Sequence, residues 1–225
     1  MHVANRLISA SAVALFPLGL LVISSASVRA DITTFSNGYE GWQTSGASSI
    51  LPSGGNPGAY MAFQNIDAFG VNVFNDSNPG FIGAVYRSPV RISIDVRTDS
   101  ITFRGNEVPR DLYVELRDTT TPNHDGLPWI SVFYKLGKLT SSRPGWIRYS
   151  VTIANPRSSA LPPGWTGYGS ENRRGQPVLP RGSTFASVLR NVDVINFTTY
   201  APGMFYGHTN FQLSFDNLAV VPYRP

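Results

Sequence analysis

The chain has 225 residues, with 18 Lys and Arg against 14 Asp and Glu, 13 Phe, 10 Tyr, 4 Trp and no cysteine. That length suffices for one domain with a sizeable core, and a net charge of only +4 excludes the dense basic footprint of a nucleic-acid binder. Without cysteine there is no disulfide framework, so stability must come from core burial or from a bound metal.

Residues 1–30 read as a signal peptide. Arg6 supplies the positive start, Leu7–Ile23 is apolar, and Val28-Arg29-Ala30 places small residues before a cleavage point at Asp31. The other reading is an uncleaved anchor, because about 18 apolar residues can span a bilayer; Pro17, Gly19 and the small-residue exit favour cleavage. Setting Arg6 and Arg29 aside lowers the excess of basic residues from four to two. Residues 31–225 are therefore expected to form a single exported domain, secreted, periplasmic or at the cell surface, with no membrane span of its own. An exported chain lacking cysteine fits a bacterial source better than an animal extracellular one.

In chain order, the opening segment Ile32–Trp42 is followed by strand patterns at Tyr60–Gln64, Gly70–Phe74 and Val90–Val96. In the last of these Ile92, Ile94 and Val96 share one face, while Arg91, Ser93, Asp95 and Arg97 share the other. Leu112–Leu116 repeats the alternation, with Leu112, Val114 and Leu116 inward and Tyr113, Glu115 and Arg117 outward. Ile130–Leu136 is a further strand, and Trp146–Ile153 points Ile147, Tyr149, Val151 and Ile153 inward. The tract Asn155–Gly182 is rich in Pro and Gly and reads as a long loop, kept from simple disorder by its aromatic residues. A Ser or Thr cap ahead of Phe185, Val188 and Leu189 predicts a short helix over Ser183–Arg190. Val192–Thr198 and the long run Phe211–Val221 close the chain as strands. The closing strand is expected to lie against the opening segment, as in a sandwich whose two chain ends meet near one edge. Many short strands punctuated by Gly, Pro, Asn and Asp give an all-β fold: a two-sheet antiparallel jelly-roll β-sandwich with one short helix.

Catalytic signatures are sparse. There is no Gly-x-Ser-x-Gly elbow, and His124 and His208, far apart in loops, fall short of the three or four ligands that zinc needs. Glu115 and Asp95 are candidates for the paired carboxylates of a glycoside hydrolase. The competing reading is a solvated face on which Asp95, Arg97, Glu115 and Arg117 form cross-strand ion pairs.

Four segments carry a resemblance: Phe35-Ser-Asn-Gly-Tyr-Glu-Gly-Trp42, Gly54-Gly-Asn-Pro-Gly-Ala-Tyr60, Phe185-Ala-Ser-Val-Leu with Val194-Ile195, and Phe215-Asp-Asn-Leu-Ala-Val220. Together they resemble the laminin IV type A-like and galactose-binding-like jelly rolls, carbohydrate-binding-module-like domains of exported bacterial proteins. The resemblance implies a structural calcium between an acidic residue on the first strand and Asp216 on the last. The first position departs from the pattern, being Ser36 here, which leaves Asn37 or Glu40 as substitutes. Calcium takes six to eight oxygens, so carbonyls of the Gly54–Gly58 turn would complete the shell. Alternatively, Asp216 binds neighbouring backbone amides.

Sugar rings stack on aromatic side chains while their hydroxyls seek placed polar groups. On that basis Trp165, Tyr168 and Tyr206, all read as loop residues, are the candidate ligand-binding set. Trp42, Trp129 and Trp146 abut strands and read as core or sheet-edge residues. The expectation is a non-catalytic binding module for a polysaccharide or glycoconjugate, or for a surface or matrix protein. The alternatives are a polysaccharide-active hydrolase or lyase and a passive structural surface protein.

Overall fold

The computed structural model describes residues 31–123 and 125–224. The signal-peptide assignment and His124 lie outside the described residues. The strands in chain order are β1 (Asp31–Thr33), β2 (Trp42–Thr44), β3 (Ala47–Gly55), β4 (Gly58–Ala68), β5 (Asn72–Asn75), β6 (Val90–Phe103), β7 (Asn106–Glu107), β8 (Arg110–Asp118), β9 (Ile130–Leu139) and β10 (Trp146–Ile153). Then come β11 (Trp165–Tyr168), β12 (Ser170–Glu171), β13 (Pro177–Val178), helix α1 (Phe185–Arg190), β14 (Val194–Thr198) and β15 (Thr209–Pro222). Two antiparallel sheets face each other. One runs β10-β6-β15-β4-β3, with β1 on β15 and β7 on β6; the other runs β11-β9-β8-β14-β5-β2.

The closing strand β15 is central to the first sheet because its sequence suits a two-sided burial. Phe211, Leu213 and Phe215 point into the sandwich, and after a register shift Leu218 and Val220 resume the inward face. Burying each such side chain contributes about 1.5–3 kcal/mol. The shift is a bulge: Asp216 pairs with Asp95 and Ala219 with Ser93, so β15 carries one extra residue, and Asn217 adopts a φ of 50° there. β4 pairs β15 up to Phe215, and past the bulge β1 takes over, with Ile32 opposite Ala219. The first residues of the opening segment therefore meet the closing strand as expected. Its end departs to the other sheet, where Trp42 in β2 packs its ring 5.0 Å from that of Phe81.

Helix α1 forms as its cap predicts, but is shorter than expected. Thr184 accepts a hydrogen bond from the Ser187 amide, and the Ser187 hydroxyl accepts one from the Thr184 amide. The expected long loop holds more order than its composition suggests. Its Trp165–Tyr168 stretch becomes β11 on β9, and β12 pairs β13. The predicted solvated face is also corrected. Asp95 and Glu115 are buried, and β6 and β8 belong to different sheets. They therefore share no face and cannot form the carboxylate pair of a glycosidase. The real ion pairs join Asp95 to Arg148, Arg97 to Asp99 and Glu115 to Arg117.

Candidate functional site

Alternation along the second sheet puts Tyr113, Glu115 and Arg117 of β8, Ser131 and Phe133 of β9, Asn196 of β14 and Phe74 of β5 on its outer face. Cross-strand register aligns Phe74, Asn196, Glu115 and Phe133 in one row, with Arg117 and Ser131 in the next. This face is not bare. After β14 the chain folds back over it, packing Ala201 against Tyr113 and Phe133, and the Tyr113 hydroxyl donates to the Met204 sulfur at 3.2 Å. That return explains why Tyr113, read from the sequence as outward, is nonetheless buried.

A cleft of about 530 Å³ remains beside the returning loop, within the usual range for small-ligand sites. Trp129 and Tyr168 form one side, Tyr200, Pro202 and Gly203 the loop side, and Asn72 and Phe74 the end towards β5. Glu115 and Arg117 lie at its base. The Glu115 carboxylate is fully engaged. Its Oε1 accepts from Trp129 Nε1 at 3.0 Å and from Ser131 Oγ at 2.7 Å, while Oε2 accepts from Arg117 Nε at 2.8 Å and Nη2 at 2.8 Å. Arg117 in turn stands 4.3 Å from the centre of the Trp129 ring, and the Trp129 and Tyr168 rings lie 5.8 Å apart. One buried carboxylate thus fixes an indole, a guanidinium and a hydroxyl in a preset arrangement. On β14, between Phe74 and Glu115, the buried Asn196 donates to Asn72 Oδ1 at 2.9 Å, and its own Oδ1 is buried without a partner among the described residues.

Of the three aromatics nominated from sequence, only Tyr168 reaches this cleft. Burial, then the nearby Glu115 and Glu171, push its phenol pKa up, against a smaller opposing effect of Arg117, so it remains a neutral hydroxyl donor. Tyr206 stands behind the loop wall. Its hydroxyl lies 2.7 Å from Thr199 Oγ1, its ring is 4.3 Å from the Arg110 guanidinium and 6.3 Å from the Tyr200 ring, and it supports Tyr200. Trp165 is 7% exposed, with its ring 5.1 Å from Phe185 and 5.5 Å from Tyr134. It belongs to the core cluster at the side of the sandwich. Trp129, assigned from sequence to core or sheet edge, is half-buried and lines the cleft.

The calcium expected at Asp216 fits these residues poorly. Asp216 accepts backbone amides on both oxygens, from Asn217 at 2.7 Å and from Asn56 at 2.5 Å, which is the amide-binding alternative. Glu40 instead accepts a hydrogen bond from Thr33 Oγ1 at 2.9 Å, and Asn37 is exposed. Among the described residues no group of three or more His, Cys, Asp or Glu side chains is placed to hold a metal.

The fold and the cleft define an antiparallel β-sandwich with a ligand-sized groove on one outer sheet face. No known family profile matches the chain, and no curated protein is similar to it by sequence. Among solved structures it is similar to the family 11 carbohydrate-binding module of Clostridium thermocellum, at 14% identity over 86% of this chain and 95% of that one, with a TM-score of 0.47. It is also similar to the CBM22-1 xylan-binding domain from Paenibacillus barcinonensis, at 10% identity over 88% and 96% of the two chains and a TM-score of 0.44. A carbohydrate esterase from the Shiga toxin-encoding bacteriophage phi24B matches at 14% identity over 87% and 98%, with a TM-score of 0.46. A Clostridium thermocellum xylanase chain with CBM22-1 and GH10 modules is matched over 28% of its length. These likenesses are of fold alone. Among the described residues no helix is long and apolar enough to cross a membrane.

Proposed function

We propose that this chain is an exported, non-catalytic glycan-binding module whose ligand lies in the cleft over β8 and β14. The observation that carries the reading is the coupling of Trp129, Arg117 and Ser131 to the single buried carboxylate of Glu115. A sugar needs aromatic surface and fixed polar groups together, and here both are set before any ligand arrives, which lowers the ordering cost of binding. The charges at the base cancel within the pair, so the cleft suits a neutral chain better than an acidic one.

The same geometry argues against hydrolysis as the runner-up. Glycoside hydrolysis needs two opposed carboxyl groups, and Glu115 is the one acidic side chain among the described cleft residues. Its two oxygens already receive four donors, so it serves as scaffold instead of acid or base. The experiment is retention of the purified chain on a panel of neutral and acidic polysaccharides, comparing wild type with Trp129→Ala. Retention by neutral polymers that is lost in the variant supports the reading. Retention equal in both places the ligand elsewhere.

A further inference from the structure

Asp216 and Asp95 are direct cross-strand neighbours on β15 and β6, and both side chains are buried. Two buried carboxylates side by side cannot both ionise without compensating positive charge. In the resembled jelly rolls calcium would supply it, drawing on turn carbonyls. Here two of those oxygens are already engaged. Gly54 O accepts from Arg97 Nη1 at 3.2 Å, and Asn56 O accepts from Asn217 Nδ2 at 2.5 Å. The β3–β4 turn also sits directly on the carboxylate: a Cβ on Gly55 would stand 2.8 Å from Asp216 Oδ2.

What reaches the acidic pair is a set of nitrogen donors. Arg148 of β10, directly opposite Asp95 in register, donates from Nε to Oδ1 at 2.7 Å and from Nη2 to Oδ2 at 2.8 Å. Asn56 Nδ2 and Asn217 Nδ2 each donate to Asp95 Oδ2 at 2.9 Å. Calcium binds oxygen ligands and repels such donors. A bidentate guanidinium, always charged and planar, matches a carboxylate edge closely. Asp95 is buried whereas Arg148 keeps 62% of its side chain exposed, so the desolvation cost of the pair falls mainly on the carboxylate.

We propose that Arg148 is the built-in cation of this site. In place of a metal ion it holds Asp95, the carboxylate on which Asn56 of the β3–β4 turn and Asn217 of the bulged closing strand converge, and the fold takes no calcium there. The acidities agree with this arrangement. Burial opposes ionisation of Asp95, but hydrogen bonds from Arg148 and Asn217, the Arg148 charge and the Asn56 amide outweigh it and hold its pKa below the ordinary value. Asp216 lacks a cation of its own and is pushed up, mainly by burial. This inference is independent of the glycan reading.

The test measures bound metal in the chain as purified, by plasma mass spectrometry, and its thermal unfolding with EDTA and with millimolar calcium, for wild type, Arg148→Met and Arg148→Lys. The expected result is no stoichiometric divalent metal and a wild-type midpoint unmoved by either addition. Arg148→Met should lower the midpoint by up to the order of 10 °C, since it strands a buried carboxylate. Arg148→Lys should fall between, because an ammonium is a point charge without the planar fork. Stoichiometric calcium, a midpoint that drops with EDTA or rises with calcium, or an Arg148→Met variant that melts with wild type would each overturn the proposal.

Discussion

Replacing Glu115 by Gln keeps the side-chain shape and removes the charge on which the cleft is built. In the native chain four donors converge on its two oxygens. A carboxamide offers one oxygen and one NH2 group, so either Trp129 and Ser131 or Arg117 must face a donor. If the oxygen stays with Trp129 and Ser131, the Arg117 guanidinium loses its partner. Breaking a fully buried pair costs about 3–5 kcal/mol. Arg117 retains 20% exposure against 1% for Glu115, so water recovers part of that loss, and a net cost of about 2–3 kcal/mol is expected. At about 2–4 °C per kcal/mol for a domain of this size, the midpoint should fall by about 4–12 °C. Urea unfolding followed by tryptophan fluorescence reads the free energy, and polysaccharide retention reads the released Arg117, which stands 4.3 Å from the centre of the Trp129 ring, as weaker binding. A Glu115→Gln variant within about 0.5 kcal/mol of wild type, with undiminished retention, would refute the reasoning.

Trp165→Ala should cost about 3–5 kcal/mol, as for a large core aromatic, yet leave glycan retention per folded molecule unchanged; calorimetry and affinity electrophoresis together separate the two. Tyr206→Phe removes only the hydroxyl contact to Thr199 and should cost about 1 kcal/mol in urea unfolding, with a smaller loss of retention than Tyr200→Ala. The pH dependence follows from Asp95, whose folded pKa is depressed. Its contribution to stability is present above the unfolded value of about 3.9 and is lost as the pH falls through the lower folded value. Asp216, raised by burial, acts oppositely: its contribution is present below about 3.9 and is lost as the pH rises through its raised value. Urea unfolding between pH 2 and 6 should therefore show a shallower acid limb in Asp95→Asn than in wild type, and identical limbs would count against the assignment.

Strand identity was legible in the sequence wherever alternation decided burial. Leu112, Val114 and Leu116 point inward as their spacing predicts, and so do Ile92, Ile94 and Val96. The capping pair Thr184 and Ser187 likewise announces α1. What alternation cannot carry is whether an outward face meets water. Tyr113 and Glu115 were correctly placed on the outer face of β8, but a loop some 85 residues later in sequence returns over that face and turns it into a cleft base. The partner of Asp95 was hidden for a related reason: Arg148 lies 53 residues away, and only the pairing of β10 with β6 brings it opposite. Trp129 and Trp165 exchanged expected positions because one follows an irregular loop onto the sheet face, while the other lies in a short strand that Pro and Gly content had masked. The sequence signal for the cleft was the polar triplet Glu115, Arg117 and Ser131 on neighbouring strands, whose meaning needed the register of β8 and β9.

The central claim is that the cleft over β8 and β14 binds a neutral glycan chain, and affinity electrophoresis tests it most directly. The purified chain would be run through gels containing single neutral or acidic polysaccharides, beside a Trp129→Ala/Tyr168→Ala variant whose folding is verified by its unfolding midpoint. The account predicts retardation by at least one neutral polysaccharide and its loss in the folded double variant. Equal retardation of both proteins, or no retardation by any polysaccharide in the panel, would contradict it.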